Sequence, residues 1–180
     1  MKEFTPEKMK EIYERRRSDL AAFMVENKIT AVVFSDNEDH RDANLRYFCG
    51  HVSDGILIVK NDASCVLIPW DINLAELNAF ADKIIPFTRY ERNTVRAVKA
   101  VLTTMADKGK NVVDVSPDTS YLEFLKFVDA LPDWDVRCRK DSAHDFATAM
   151  RAIKDSYEIE CTKEAARIGD KIIDGIEQRI

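Results

Sequence analysis

The sequence predicts a three-layer α/β/α domain built on a central mixed sheet, and three observations carry that expectation. The first is the stretch 55–69, where two nearly continuous apolar runs rich in β-branched residues flank Asn61-Asp62. Strands that do not alternate apolar with polar residues are covered on both faces, so this hairpin belongs in a sheet with helices on either side. The second is the repetition of strand-like and helix-like segments along the chain, the pattern of a sheet sandwiched by helices. The third is composition. Of 180 residues 46% are apolar, ample for one core, while a net charge of −5 argues against an electrostatic nucleic-acid footprint.

Taken in order, Thr5-Pro6 reads as an N-cap and first-turn proline, and Met9, Ile12, Tyr13, Leu20, Phe23 and Met24 follow at helical spacing. The run Arg15-Arg16-Arg17 reads as a solvated face of that helix. Closure is expected near Asn27-Lys28, with asparagine taking the left-handed conformation, and residues 29–34 then form a buried strand. In the hairpin, Asn61-Asp62 are expected at the positive-φ positions of a tight turn. Asp71 caps a helix with Leu74, Leu77, Phe80 and Ala81 inward, and residues 83–87 make a short strand that Pro86 marks as an edge.

Asn93 caps the next helix, with Val95, Val98, Val101, Leu102 and Met105 on one face and Gly109 closing it. Residues 111–115 are a strand. Ser116-Pro117 reads as the opening of a helix carrying Tyr121, Leu122, Leu125 and Val128, and residues 134–138 alternate as a strand does. Residues 142–153 hold a short helix with Phe146, Met150 and Ile153. Asp155 and Glu158 then form a capping box for a helix that runs to the end of the chain. Its stripe of Ile159, Ala165, Ala166, Ile168, Ile172, Ile173, Ile176 and Ile180 needs a partner surface that the chain does not go on to supply, so it is expected to pack on another copy or on its own domain. The expected division is 1–154 as the α/β domain and 155–180 as the first helix of a further, truncated domain.

The polar segment between the first strand and the hairpin carries the candidate chemistry. Its charged loop follows a buried strand, where open α/β folds place functional residues. His40, Arg41 and Arg46 are the candidate substrate-binding residues: a guanidinium offers planar paired donors to a carboxylate, and a protonated imidazole adds another. Tyr47, followed by Phe48 in a helical turn, reads as core. No spacing matches HExxH or another metal-ligand frame, and Cys49-Gly50-His51 is a poor thiol dyad because such pairs are assembled from separate elements. Cys49, Cys65, Cys138 and Cys161 form no CxxC pair and are expected as reduced thiols without zinc. No apolar run approaches the ~20 residues that span a bilayer, and the N-terminus is charged, so no membrane partner and a cytoplasmic location are expected.

Several of these segments resemble one known family. Residues 16–20 (Arg-Arg-Ser-Asp-Leu), 29–34 (Ile-Thr-Ala-Val-Val-Phe), the Asn44-x-x-Tyr47-x-x-Gly50 run, residues 54–59 and above all 151–170, with Arg151-x-Ile153-Lys154, Glu158-Ile159 and Ala165-Ala166, look like the N-terminal part of the creatinase, prolidase and Xaa-Pro aminopeptidase family. Members usually carry glycine where Lys28 stands. The resemblance implies a ribonuclease H-like N-terminal domain joined to the first helix of a catalytic "pita-bread" domain. In that family the catalytic domain holds two divalent metal ions, manganese, cobalt or zinc, on two Asp, one His and two Glu. Those motifs lie beyond this sequence, so the resemblance transfers no catalytic residue and no metal ligand to it. What it implies is the non-catalytic N-terminal domain of a metal-dependent Xaa-Pro aminopeptidase or dipeptidase. Such a domain would partner its own catalytic domain, join a homodimer and meet peptide substrate through the parent enzyme, with the 39–54 loop near a neighbouring subunit's active site. A self-contained interaction module and the N-terminal domain of a creatinase-like amidinohydrolase are the alternatives. The chain alone is expected to be inactive.

Overall fold

The computed structural model describes residues 4–177. Six strands, β1 (Ala31–Asp36), β2 (Gly55–Lys60), β3 (Cys65–Pro69), β4 (Lys83–Ile84), β5 (Asn111–Asp114) and β6 (Trp134–Arg137), form one sheet in the order β4-β3-β2-β1-β5-β6. β2 is antiparallel to β1 and β3, whereas the β1–β5, β3–β4 and β5–β6 pairs are parallel. The short β4 occupies one edge, as Pro86 implies.

Strand parity divides the core into two layers. Ala31, Val33, Ile56, Ile58, Val66, Ile68 and Val113 face α4 (Thr94–Met105) and α5 (Tyr121–Ala130), meeting Val98, Val101, Leu102 and Phe127. Val32, Phe34, Leu57, Val59 and Leu67 face the other way, onto α1 (Pro6–Glu26), α2 (Ala43–Cys49), α3 (Ile72–Asn78) and α6 (Ala143–Met150), through Leu20, Met24, Phe48, Ala75 and Ala147. The middle of each central strand is therefore apolar on both faces, because alternate residues serve different layers. This is the three-layer architecture that the non-alternating hairpin implied.

The caps at Thr5, Asp71 and Asn93 form as expected, each side-chain oxygen accepting from a first-turn backbone N–H. Helix closure and two helical faces differ. At the end of α1 the left-handed residue is Lys28 (φ 56), while Asn27 keeps φ −94. The Ile29 N–H bonds the Met24 carbonyl and the Lys28 N–H bonds that of Val25, the paired bonds of a Schellman closure. Ile29 and Met24 lie in the same core layer, the apolar contact that accompanies this motif. The hairpin turn likewise puts Ala63 (φ 69), and neither Asn61 nor Asp62, in the left-handed region. Ala63 N–H bonds the Lys60 carbonyl and Lys60 N–H bonds that of Ser64, which makes a three-residue loop with a bulge.

α3 is too short to turn Leu77 inward: that side chain is 82% exposed, and Phe80 and Ala81 lie past the helix. α4 ends at Met105, and Gly109 (φ 113) sits in the following loop, which Asn111 staples through the carbonyls of Asp107 and Gly109. α5 starts at Tyr121 with Ser120 as its cap, because Ser116-Pro117 is spent on a turn that Thr119 N–H closes on the Ser116 carbonyl. Its inward line is Phe124, Phe127 and Leu131, whereas Tyr121 and Leu122 face out. Ile153 lies beyond α6 and is exposed.

α7 (Ser156–Glu177) opens on the expected capping box: Asp155 accepts from the Glu158 N–H, and Glu158 from that of Asp155. None of its described residues is buried, and Ile168, Ile172, Ile173 and Ile176 are all about half exposed, so the stripe does not fold back onto the domain. Ile180 lies outside the described residues. No helix among those residues is long and apolar enough to cross a membrane.

Candidate functional site

The loop after β1 is organised by its own carboxylates and amides. The Asn37 side chain accepts from the N–H groups of Asp39 and His40, while Asp36 accepts from that of Asp42 at 3.0 Å. Asp42 in turn caps α2 through Asn44. Arg41 donates through Nη1 to Asp54 at 2.7 Å, with Asp36 at 3.5 Å, so part of its guanidinium ties the loop to the start of β2 while the side chain stays largely exposed. The His40 side chain is exposed and borders a crevice of about 300 Å³ together with Arg41, Ser116, Asp118, His144 and Arg151. An adjoining space of about 200 Å³ shares His40, Ser116 and Asp118.

Arg46 lies elsewhere. Four residues into α2, it borders a different cleft of about 500 Å³ between α1, α2 and the start of α7, with Tyr13, Arg16, Tyr47, Tyr157 and Glu158. The structure thus brings His40 and Arg41 together and separates them from Arg46. The cap at Asp42 is the physical divide, since the chain turns there from the end of the sheet into the helical layer.

The second cleft is organised around Arg16, which is 3% exposed. Its guanidinium lies 4.0 Å from the centre of the Tyr47 ring and 5.4 Å from that of Tyr13. Nη1 donates to the Tyr47 carbonyl, and Nη2 lies 2.7 Å from Asp155 and 3.3 Å from Glu158. Burial raises the Asp155 carboxyl, but the Glu158 amide and the Arg16 guanidinium outweigh it and hold the group below its ordinary range. Arg16 therefore anchors the capping box of α7 to the body of the domain. The expectation of a solvated arginine run fails here. Arg17 is as buried as Arg16 and donates to the carbonyls of Phe48, Phe80 and Ala63.

Cys49 is not an activated thiol. Burial pushes Cys49 up to about 12, and its Sγ donates to the Leu45 carbonyl rather than to His51. His51 is fully buried, with Nε2 on the Asp54 carbonyl, and desolvation lowers its pKa. All four cysteines are free. Among the described residues no three His, Cys, Asp or Glu side chains come together as a metal site, so these residues do not fit the two-metal set of the family's catalytic domain.

Sequence reading missed Arg16, Asp118 and His144. For Arg16 a signal existed, because it lies three residues from Tyr13 and four from Leu20 and so shares their buried stripe. Asp118 and His144 come from distant segments that only the fold places beside His40.

No family model matches the sequence, and no curated protein matches it either. Solved structures do match. The prolidase from Pyrococcus horikoshii OT3 aligns with 92% of this chain at 19% identity and a TM-score of 0.64. The X-Pro aminopeptidase from Thermotoga maritima MSB8 aligns with 91% at 19% identity and a TM-score of 0.70. The chain spans 43% of the length of each of those two proteins. A creatinase/prolidase-like N-terminal domain from Corynebacterium diphtheriae is 93% covered, matching 69% of this chain at 19% identity and a TM-score of 0.52. In sheet, layers and helix order, the chain therefore has the fold of a creatinase/prolidase-type N-terminal domain.

Proposed function

We propose that this chain acts as the non-catalytic N-terminal domain of a cytoplasmic, metal-dependent Xaa-Pro aminopeptidase or dipeptidase. The observation that carries this reading is the match of almost the whole chain to 43% of two longer peptidases, together with its match to an isolated creatinase/prolidase-like N-terminal domain, while α7 continues past the α/β layers. The Arg16–Asp155–Glu158 contacts fix the angle at which α7 leaves, and its apolar stripe is suited to a catalytic domain of the same protein. The 1–154 and 155–180 division follows that exit. Manganese, cobalt or zinc would belong to the catalytic domain. In a homodimer the 39–54 loop forms one wall of a neighbouring substrate pocket, where His40 and the free part of the Arg41 guanidinium meet a peptide carboxylate. Arg46, on the other cleft, is the more remote of the three.

The experiment is steady-state kinetics on the full-length protein with His40→Ala and Arg41→Ala. Removal of a substrate-positioning contact raises KM or lowers kcat/KM for short Xaa-Pro peptides by about tenfold, equivalent to about 1.4 kcal/mol. Unchanged kinetics in both folded variants would leave the loop as ordinary solvated surface.

A further inference from the structure

β4 and β6 are the two edge strands of the sheet, and among the described residues β6 pairs with β5 alone. The Val115 N–H bonds the Arg137 carbonyl, so Arg137 turns its backbone groups toward β5. Along a strand those groups alternate in direction. Asp135 therefore faces β5 as well, and the N–H and C=O of Val136 point out of the sheet. An edge of this kind is a template for a further strand.

The charges on this edge select the strand that it accepts. Edge strands are commonly guarded by charge, because two strands carrying the same sign repel when they meet. Here the segment reads Asp133-Trp-Asp135-Val136-Arg137-Cys-Arg139, with acids before Val136 and bases after it. Antiparallel pairing with a second copy, about a two-fold axis at Val136, sets Asp135 opposite Arg137 of that copy and Asp133 opposite Arg139. The outward groups of the two Val136 residues then exchange both of their hydrogen bonds across the axis. Asp135 and Arg137 fall in the non-hydrogen-bonded pairs, where opposing Cα atoms come to about 4.5 Å and side chains are closest. Within one copy these two side chains already lie 3.4 Å apart, so they share a face of the strand. Moving the axis to Asp135 or to Arg137 would instead set like charge on like charge.

The helix beside this edge points to the same occupant. α5 packs on β6 with α4 at one flank. Glu123 borders a space shared with Thr94 at the start of α4, which places it on that flank. Tyr121, Leu125 and Val128 lie about 140–160° around the helix from Glu123, on the flank beside the open edge. All three are exposed. A two-fold axis at Val136 brings the same flank of a second α5 toward this one, so the apolar line meets itself. We propose that β6 pairs antiparallel with β6 of a second copy, joining two six-stranded sheets into one, with α5 packed on its counterpart across the axis. This surface stands on the edge and the charges of the domain itself, independently of a peptidase parent, and its test reads mass rather than activity.

The test is sedimentation equilibrium of the 180-residue chain carrying Ile172→Glu and Ile176→Glu, which removes association through α7. The expected result is a dimer with Kd of about 1–100 μM. In that background Asp133→Arg with Asp135→Arg makes the edge wholly basic, and Arg137→Asp with Arg139→Asp makes it wholly acidic. Each charge variant alone dimerises at least about tenfold more weakly, and an equimolar mixture of the two recovers the dimer. Leu125→Glu on α5 also weakens the dimer by about tenfold or more. Thermal midpoints check that every variant is folded. A parent chain that stays monomeric up to about 1 mM would overturn the proposal and leave the edge to another segment. Charge variants that dimerise as tightly as the parent would overturn it too, as would a mixture of folded variants that stays monomeric. Undiminished dimerisation of Leu125→Glu would remove α5 from the interface.

Discussion

Two non-glycine residues in the left-handed region, Lys28 and Ala63, show how local backbone demand and residue type part company. A β-carbon makes that region unfavourable by roughly 1–2 kcal/mol, and glycine returns part of the gain through the greater freedom of its unfolded chain. Lys28→Gly and Ala63→Gly are each expected to stabilise the domain by about 0.5–1 kcal/mol, read as a higher urea midpoint at constant slope. A lower midpoint in both would mean that contacts of the present side chains outweigh backbone strain. Sequence alone located both turns to within two residues. It misplaced the strained residue because Asn27, Asn61 and Asp62 are better left-handed formers than the lysine and alanine that occupy those positions. The arginines were opaque for a related reason. Arg16 and Arg17 are buried by bonding to carbonyls and carboxylates distant in sequence, which no local pattern displays.

Among the elements, capping chemistry was the most legible signal, because a cap is a bond between a side chain and an amide two or three residues on. Thr5, Asp71, Asn93 and the Asp155–Glu158 box all work as read. Helical faces were less legible. α5 offers two apolar lines, and the aromatic pair Phe124 and Phe127 takes the core, leaving Tyr121 and Leu122 outside. α7 leaves Ile168, Ile172, Ile173 and Ile176 uncovered, and apolar area left in water costs about 25 cal/mol per Å². The purified chain is accordingly expected to self-associate through this stripe. Ile172→Glu with Ile176→Glu lowers the apparent mass in concentration-dependent light scattering, because paired isoleucines give way to like charges. If mass and solubility stayed as they were in the unaltered chain, the helix would be a solvated tail.

At the level of the whole molecule, the fold was readable because the hairpin 55–69 is apolar at nearly every position, and only a sheet covered on both faces explains that. The site was readable in part. His40, Arg41 and Arg46 are close in sequence, yet the α2 cap sends them to two clefts, and their neighbours His144, Asp118 and Arg16 arrive by topology. What the assembled domain offers is two polar recesses, strongly bonded arginines and the thiols of Cys49, Cys65 and Cys138, whose pKa burial raises. On the proposed reading that is equipment for positioning, with peptide cleavage carried out by a separate catalytic domain. The direct test is to incubate the purified chain with an Xaa-Pro peptide in the presence of manganese, cobalt or zinc and to follow release of the N-terminal residue. The account predicts no cleavage above the peptide blank with any of the three metals; metal-dependent cleavage that a chelator abolishes would contradict it.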